Sequence, residues 1–179
     1  MSESTLWLLW DAFRARRQGP AAIALRQRAR LAEMVAYARA NSPYYRELYE
    51  GLPDRVEEHA ALPVTNKKEL MAHFDGWVTD PEVTIEEVRA FIANPDRIGE
   101  QFLGKYIVAT TTGTTGTPGV FVFEDRHLAA GSATLPLTFW TWLGVRGFLK
   151  LLGRGVRIAG LFATGGHFVA VVGSARARR

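Results

Sequence analysis

The sequence predicts an α/β protein: a mainly helical region over residues 1–103, then the start of a mixed β-sheet domain over 104–179. Three observations predict it. Helix start and stop signals recur through the first part of the chain with no alternating strand pattern between them. At Gly104 the character changes to short β-rich runs separated by a turn and a helical stretch. Helices first, then strands in alternation with a helix, is the order of an α/β sheet domain with a helical prefix. Hydrophobic residues make up 47% of the chain, enough to bury a core and too many for global disorder.

The first helix is a short amphipathic piece from Leu6 to Arg17, stopped by Gly19. Pro20 opens the second, because a first-turn position needs no N–H. Along it Leu31, Met34, Val35 and Ala38 recur at helical spacing and define one apolar face. Asn41 ends it. Ser42-Pro43 reads as a cap and a first-turn proline for a helix over 44–50, closed by Gly51. Tyr44, Tyr45 and Tyr49 could stack on a ligand, but such a cluster more often packs a helical hairpin. Thr65 is the expected cap of a helix over 66–73. Thr84 and Glu87 form a capping box, with Glu87 expected to reach back to the backbone of Thr84, for a helix running to about Asn94.

The sheet region starts with Lys105 to Ala109 as a strand. A Thr/Gly turn follows, then Val120 to Phe123 as a second strand. Asp125 is the expected cap of a long helix to about Leu143, bent at Pro136. A third strand is expected over 156–162, ending in Ala163-Thr164-Gly165-Gly166-His167.

Composition removes several function classes. With no cysteine there are no disulfides and no thiolate metal sites. His59, His73, His127 and His167 lack metal-ligand spacing. The net charge of +4 is concentrated in arginines near the two ends, which could meet a polyanion or lie solvated. No aromatic-rich RNA-binding signature or DNA-binding motif accompanies them, so no nucleic-acid partner is expected. The N-terminus is not a secretory signal, because its positive charges follow a short apolar run rather than precede it. Residues 128–145 carry no charge over 18 positions, long enough for a membrane span. Gly131, Ser132, Thr134, Pro136, Thr138 and Thr141 dilute the run, and a buried helix of a cytoplasmic protein is the expectation, with no membrane partner.

The chemistry sits at Thr111-Thr112-Gly113-Thr114-Thr115-Gly116-Thr117-Pro118-Gly119, which holds five threonines and three glycines. Glycines let successive N–H groups point into one concavity, and threonine hydroxyls rotate onto phosphate oxygens. Read as composition alone, such a turn is a hairpin loop or a phosphate cradle. It is neither the P-loop of ATPases, which needs a Gly-Lys-Ser/Thr ending, nor a dinucleotide fingerprint, which needs Gly-x-Gly before a helix.

Thr111 to Pro118 resembles the phosphate loop of the adenylate-forming enzymes, the acyl- and aryl-CoA ligases, whose motif runs Ser/Thr-Ser/Thr-Gly-Ser/Thr-Thr/Ser-Gly-x-Pro-Lys-Gly. Gly119 stands where most members carry lysine and Val120 where they carry glycine. The phenylacetate–CoA ligase branch, with its coenzyme F390 synthetase-like relatives, is similar in lacking that lysine. "YARANSPYYRELYEG", "LPVTNKKELMAHF" and "GLFATGGHF" resemble segments of the same branch in order and spacing.

The resemblance implies an adenylate-forming fold, present only as an N-terminal part, since the segments for adenine, ribose and the C-terminal lid would lie beyond these residues. It implies an enzyme that uses ATP with Mg²⁺ to activate a small-molecule carboxylic acid and passes the acyl group to coenzyme A. Thr111, Thr112, Gly113, Thr114, Thr115 and Gly116 would hold the β- and γ-phosphates. Gly165, Gly166 and His167 would line the acyl pocket. The chain alone is not expected to turn over ATP, and its partner could be the remaining portion as a second chain. The alternative is a non-enzymatic helical docking module, or a subunit of a split ligase.

Overall fold

The computed structural model describes residues 5–111, 118–124, 127, 131, 142–144, 146–147, 149–150, 153 and 166–176. It is a mixed α/β structure, mostly helical, with a two-stranded antiparallel sheet.

Helices α1 (Thr5–Gln18) and α2 (Pro20–Asn41) form a hairpin that turns at Gly19, whose φ of 88° favours glycine. Asp11 on α1 accepts from Arg26 at 3.2 Å and Arg30 at 3.0 Å on α2, which sets how the two helices lie. One side of α2 packs on the segment that follows it. Val35, Tyr49 and Val56 are buried there, with Leu31, Ala38, Tyr45 and Leu62 against them. The expected apolar face loses one member: Met34 is exposed. The covering segment is narrow, so only the stripe centred on Val35 is closed off, and Met34 lies around the helix from it. Arg39 fastens the segment by donating to the carbonyls of Tyr49, Leu52 and Pro53.

Ser42 joins two parts of the molecule. Its hydroxyl caps α3 (Pro43–Leu48) by accepting from the amide of Tyr45, and it donates to the carbonyl of Gly76 at 3.0 Å. The tyrosines pack rather than stand free. Tyr45 and Tyr49 stack at 5.1 Å, the Trp77 indole donates to the Tyr45 hydroxyl, and Tyr44 donates to Glu69 at 2.8 Å.

Next come α4 (Lys67–Ala72) and α5 (Phe74–Trp77), separated at His73. The cap of α4 is Asn66, not Thr65: the Asn66 carboxamide accepts from the amide of Glu69 at 3.0 Å. Asparagine caps at least as well as threonine, so the helix starts one residue later. Thr84 caps α6 (Ile85–Ile92) by accepting from the amide of Glu87. The Glu87 carboxylate returns to the Thr84 hydroxyl rather than to its amide.

Strands β1 (Tyr106–Thr110) and β2 (Val120–Glu124) pair antiparallel, with Tyr106 opposite Glu124 and Thr110 opposite Val120. Val108 and Val120 join Phe74, Val83, Val88, Phe91 and Phe102 in the larger core, so the helices α5 and α6 cover this face. On the other face Ile107 and Ala109 are also fully buried. β1 is therefore closed on both sides, which explains why its sequence runs apolar without alternating. Helix α7 (Val169–Arg176) packs on β1 and buries Val172. The third strand expected over 156–162 lies outside the described residues, as does most of the helix expected after Asp125; His127, Gly131 and 142–144 are helical. Among the described residues no helix is long and apolar enough to cross a membrane; most of 128–145 is not among them.

Ser42 is completely buried. Ser42→Ala removes a cap and leaves the Gly76 carbonyl unpaired, a loss of about 2 kcal/mol. Thr84→Ala, at a more accessible cap, should cost about 1 kcal/mol. Urea unfolding of the two variants checks the order; equal losses would mean that the Ser42–Gly76 bond contributes nothing.

Candidate functional site

The Thr/Gly turn is the loop of the β1–β2 hairpin. Its stem is closed by two hydrogen bonds between the same pair: the Thr111 amide donates to the Gly119 carbonyl at 3.0 Å, and the Gly119 amide donates to the Thr111 hydroxyl oxygen at 2.9 Å. Thr111 therefore acts as a stem residue whose hydroxyl oxygen is engaged, while its O–H remains able to donate. Thr112, Gly113, Thr114, Thr115 and Gly116 lie outside the described residues, as does Gly165.

The second candidate segment meets the same end of β1. The Thr110 amide donates to the His167 carbonyl at 2.7 Å, and Thr110 forms a parallel bridge with Phe168. Gly166 makes the turn possible with φ at 118°. The structure thus brings the stem of the threonine loop and the Gly166-His167 turn to opposite edges of one strand end.

The His167 side chain faces inward. It is 2% exposed and packs on the Phe91 ring at 5.5 Å. Neither ring nitrogen has a hydrogen-bond partner. Burial holds its pKa below the usual imidazole range, and the nearby Arg97 charge acts the same way; the carbonyls of Arg97 and Ile92 oppose this without reaching hydrogen-bond geometry. Arg97 itself lies over the Phe91 ring at 4.2 Å. A neutral, buried imidazole is a poor donor of charge to a phosphate.

One residue at the loop has no local signal in the sequence. A Cβ added at Gly119 would stand 2.9 Å from the Phe121 ring edge, 3.1 Å from Lys67 Cδ and 3.2 Å from the Thr111 hydroxyl oxygen. The Lys67 side chain therefore crosses the backbone where the loop leaves its stem. One turn further along α4, the Met71 sulfur accepts from the Val120 amide at 3.3 Å. Lys67 and Met71 lie four apart on one helix face, so that face runs along the loop's exit.

The opposite end of the hairpin is acidic. Asp80 accepts from the Tyr106 hydroxyl at 2.6 Å, and Lys105 pairs with Asp80 and Glu82. The Tyr106 hydrogen bond, then the Glu82 amide, holds the Asp80 carboxyl below its usual range, while the same bond and burial push Tyr106 up to about 12. A cleft of about 200 Å³ lined by Tyr45, Phe74, Trp77, Asp80, Tyr106 and Val122 opens at this end, away from the loop.

No family model, curated protein or solved structure matches the chain.

The His167 pKa is depressed, so its stability contribution is intact above the unfolded value of about 6.5 and is lost as pH falls from there toward the folded pKa. Asp80 acts in a separate window, losing its contribution only as pH falls below about 4. His167→Leu should therefore flatten the fall in urea midpoint between pH 7.5 and 5.0. A variant with the same slope as the parent would show that the imidazole is not buried neutral.

Proposed function

We propose that the β1–β2 loop holds the polyphosphate of ATP, and that the chain forms the phosphate-binding part of an ATP-dependent carboxylic acid–CoA ligase. The observation that carries this is the loop's setting: nine residues of hydroxyl and backbone amide chemistry, from Thr111 to Gly119, closed at the stem and mounted at the end of a strand buried on both faces. A fixed stem lets donors be held in place before the anion arrives, which is what electrostatic stabilisation requires.

In the first step a carboxylate oxygen attacks the α-phosphorus. A C–O–P linkage forms, and the bond from the α-phosphorus to the bridging oxygen breaks. The electron pair leaves on pyrophosphate. Donors on the loop stabilise that leaving group and reduce the repulsion between two anions. In the second step the coenzyme A thiol loses its proton to water, its sulfur attacks the acyl carbon, the C–S bond forms, and the acyl C–O bond breaks with the electron pair leaving on AMP. An ionised carboxylate needs no general base, which suits a site whose imidazole is buried and unpartnered. Among the described residues no cluster of His, Asp or Glu could hold a metal ion. The donor set fits phosphate oxygens rather than a metal, and no step is assigned to Mg²⁺.

A second reading is a helical docking module. It is supported by the exposure of Trp7, Trp10 and Phe13 on α1, and of Leu25 on α2.

Pyrophosphate and ATP, each with Mg²⁺, should bind the chain, and AMP should bind far more weakly, because the loop engages the β- and γ-phosphates. Thr114→Val should weaken pyrophosphate binding roughly ten- to hundredfold, the effect of one lost hydrogen bond to a charged group at about 1.5–3 kcal/mol. Its far-UV CD spectrum should stay unchanged. Titration calorimetry decides: no pyrophosphate binding, or a Thr114→Val variant equal to the parent, removes the phosphate reading and leaves the docking module.

A further inference from the structure

Gly119 needs explaining, because its backbone does not require glycine: its φ lies outside the left-handed range. What excludes a side chain is space. Phe121, Lys67 and Thr111 already occupy the positions that a Cβ would approach. Of these, the lysine is the informative one. Its δ-carbon lies against Gly119, and its ammonium is two bonds further on.

Local structure gives no reason for a cation there. Lys67 is the first residue of α4, where the helix dipole disfavours positive charge. It is half-buried and forms no ion pair or hydrogen bond among the described residues. Several cations of the molecule are matched, Lys105 with Asp80 and Glu82, Arg26 and Arg30 with Asp11, Arg28 with Glu58, Arg97 with Glu100; Arg16, Lys68 and Arg89 also form no ion pair among the described residues, but they are exposed to water, whereas Lys67 is half-buried. The acid closest in sequence, Glu69, is engaged by the Tyr44 hydroxyl and the Asn66 carboxamide. No Asp or Glu occurs from residue 109 to 123. The sequence of the loop and its flanks therefore offers an ammonium hydroxyls and amides but no carboxylate.

We propose that Lys67 is the phosphate-binding cation of the Thr/Gly loop, delivered from α4 across Gly119 to the terminal phosphate of a nucleoside triphosphate or to the pyrophosphate it releases. This rests on the phosphate-loop reading above. Gly119 is then the clearance that admits the lysine, and Met71 on the Val120 amide fixes the helix face that presents it.

The test is calorimetric titration of the full chain with pyrophosphate and Mg²⁺, at low and high salt. Lys67→Met keeps the aliphatic stem over Gly119 and removes the charge. It should weaken binding tenfold or more and reduce the salt dependence, because an exposed charge interaction is screened. Lys67→Arg should retain most of the affinity. Lys68→Met, the same charge change on the exposed neighbour, should bind like the parent. Should Lys67→Met melt early, Lys67→Gln supplies the same charge removal with a shorter stem. If Lys67→Met equals the parent while Thr114→Val loses affinity, the loop binds phosphate without Lys67 and the inference falls alone. If Lys68→Met loses as much as Lys67→Met, the effect is general charge and the inference falls. If the parent binds no pyrophosphate, both readings fall.

Discussion

Two neighbouring amides hold the loop end of the hairpin together. The Thr110 N–H points to one side of β1 and bonds the His167 carbonyl, and the Thr111 N–H points to the other and bonds the Gly119 carbonyl. Alternation of N–H direction along a strand makes this possible: one strand end ties a hairpin loop on one edge and a glycine turn on the other. Neither tie would hold on a mobile strand. Burial of Ile107, Val108 and Ala109 from both faces supplies the rigidity. The packing of α5 and α6 on one face therefore matters to the position of the stem.

The hairpin is chemically polarised along its length. At its Tyr106 end Asp80 and Glu82 neutralise Lys105, and Glu124 stands opposite Tyr106 in the ladder. At its loop end residues 109–123 carry no carboxylate, and Lys67 is unpaired among the described residues. An anion approaching the hairpin meets like charge at one end and the opposite charge of Lys67 at the other. The open cleft lies at the acidic end, so its apolar walls do not make it the better phosphate site. Over a Debye length of about 8 Å at physiological salt the two ends are largely screened from each other, and each acts as a local environment.

What was legible in the sequence follows the range of the interactions involved. Gly19, Pro20, Ser42, Pro43 and Thr84 mark helix ends through bonds that span a few residues, and the helices start and stop there. The shift from Thr65 to Asn66 is a competition between adjacent caps, decided by a side chain's reach to Glu69. β1 and β2 were readable from β-branched and aromatic runs on either side of the Thr/Gly turn. Other features were not readable, and all are tertiary. The Ser42–Gly76 bond links the α2–α3 junction to α5, the exposure of Met34 depends on what covers α2, and the path of Lys67 over Gly119 depends on where α4 docks. His167 belongs here too: a Gly-Gly-His turn signals a bend, but whether the imidazole faces a pocket or a core depends on Phe91, which the chain brings in from α6.

The placement of Lys67 changes the meaning of the helical prefix. A lysine within the loop would need only the loop to position it. A lysine on α4 depends on everything that positions α4. Glu69 accepts from Tyr44 in α3, Ser42 bonds Gly76 in the next helix, and Trp77 donates to Tyr45. Through these bonds the helices α2 and α3 are connected to α4, and through Met71 and Lys67 α4 is connected to the exit of the loop. On the proposed reading the two regions of the chain are therefore one site: the sheet supplies the hydroxyls and amides, and the helices supply the charge. A small displacement of α4 would carry the ammonium away from the loop without altering the loop itself. Affinity for polyphosphate would then respond to whatever docks on the helical region, including the exposed aromatic face of α1 that supports the docking reading. The two readings meet at α4, where a binding event on the helices and an anion on the loop would be coupled through the position of one lysine.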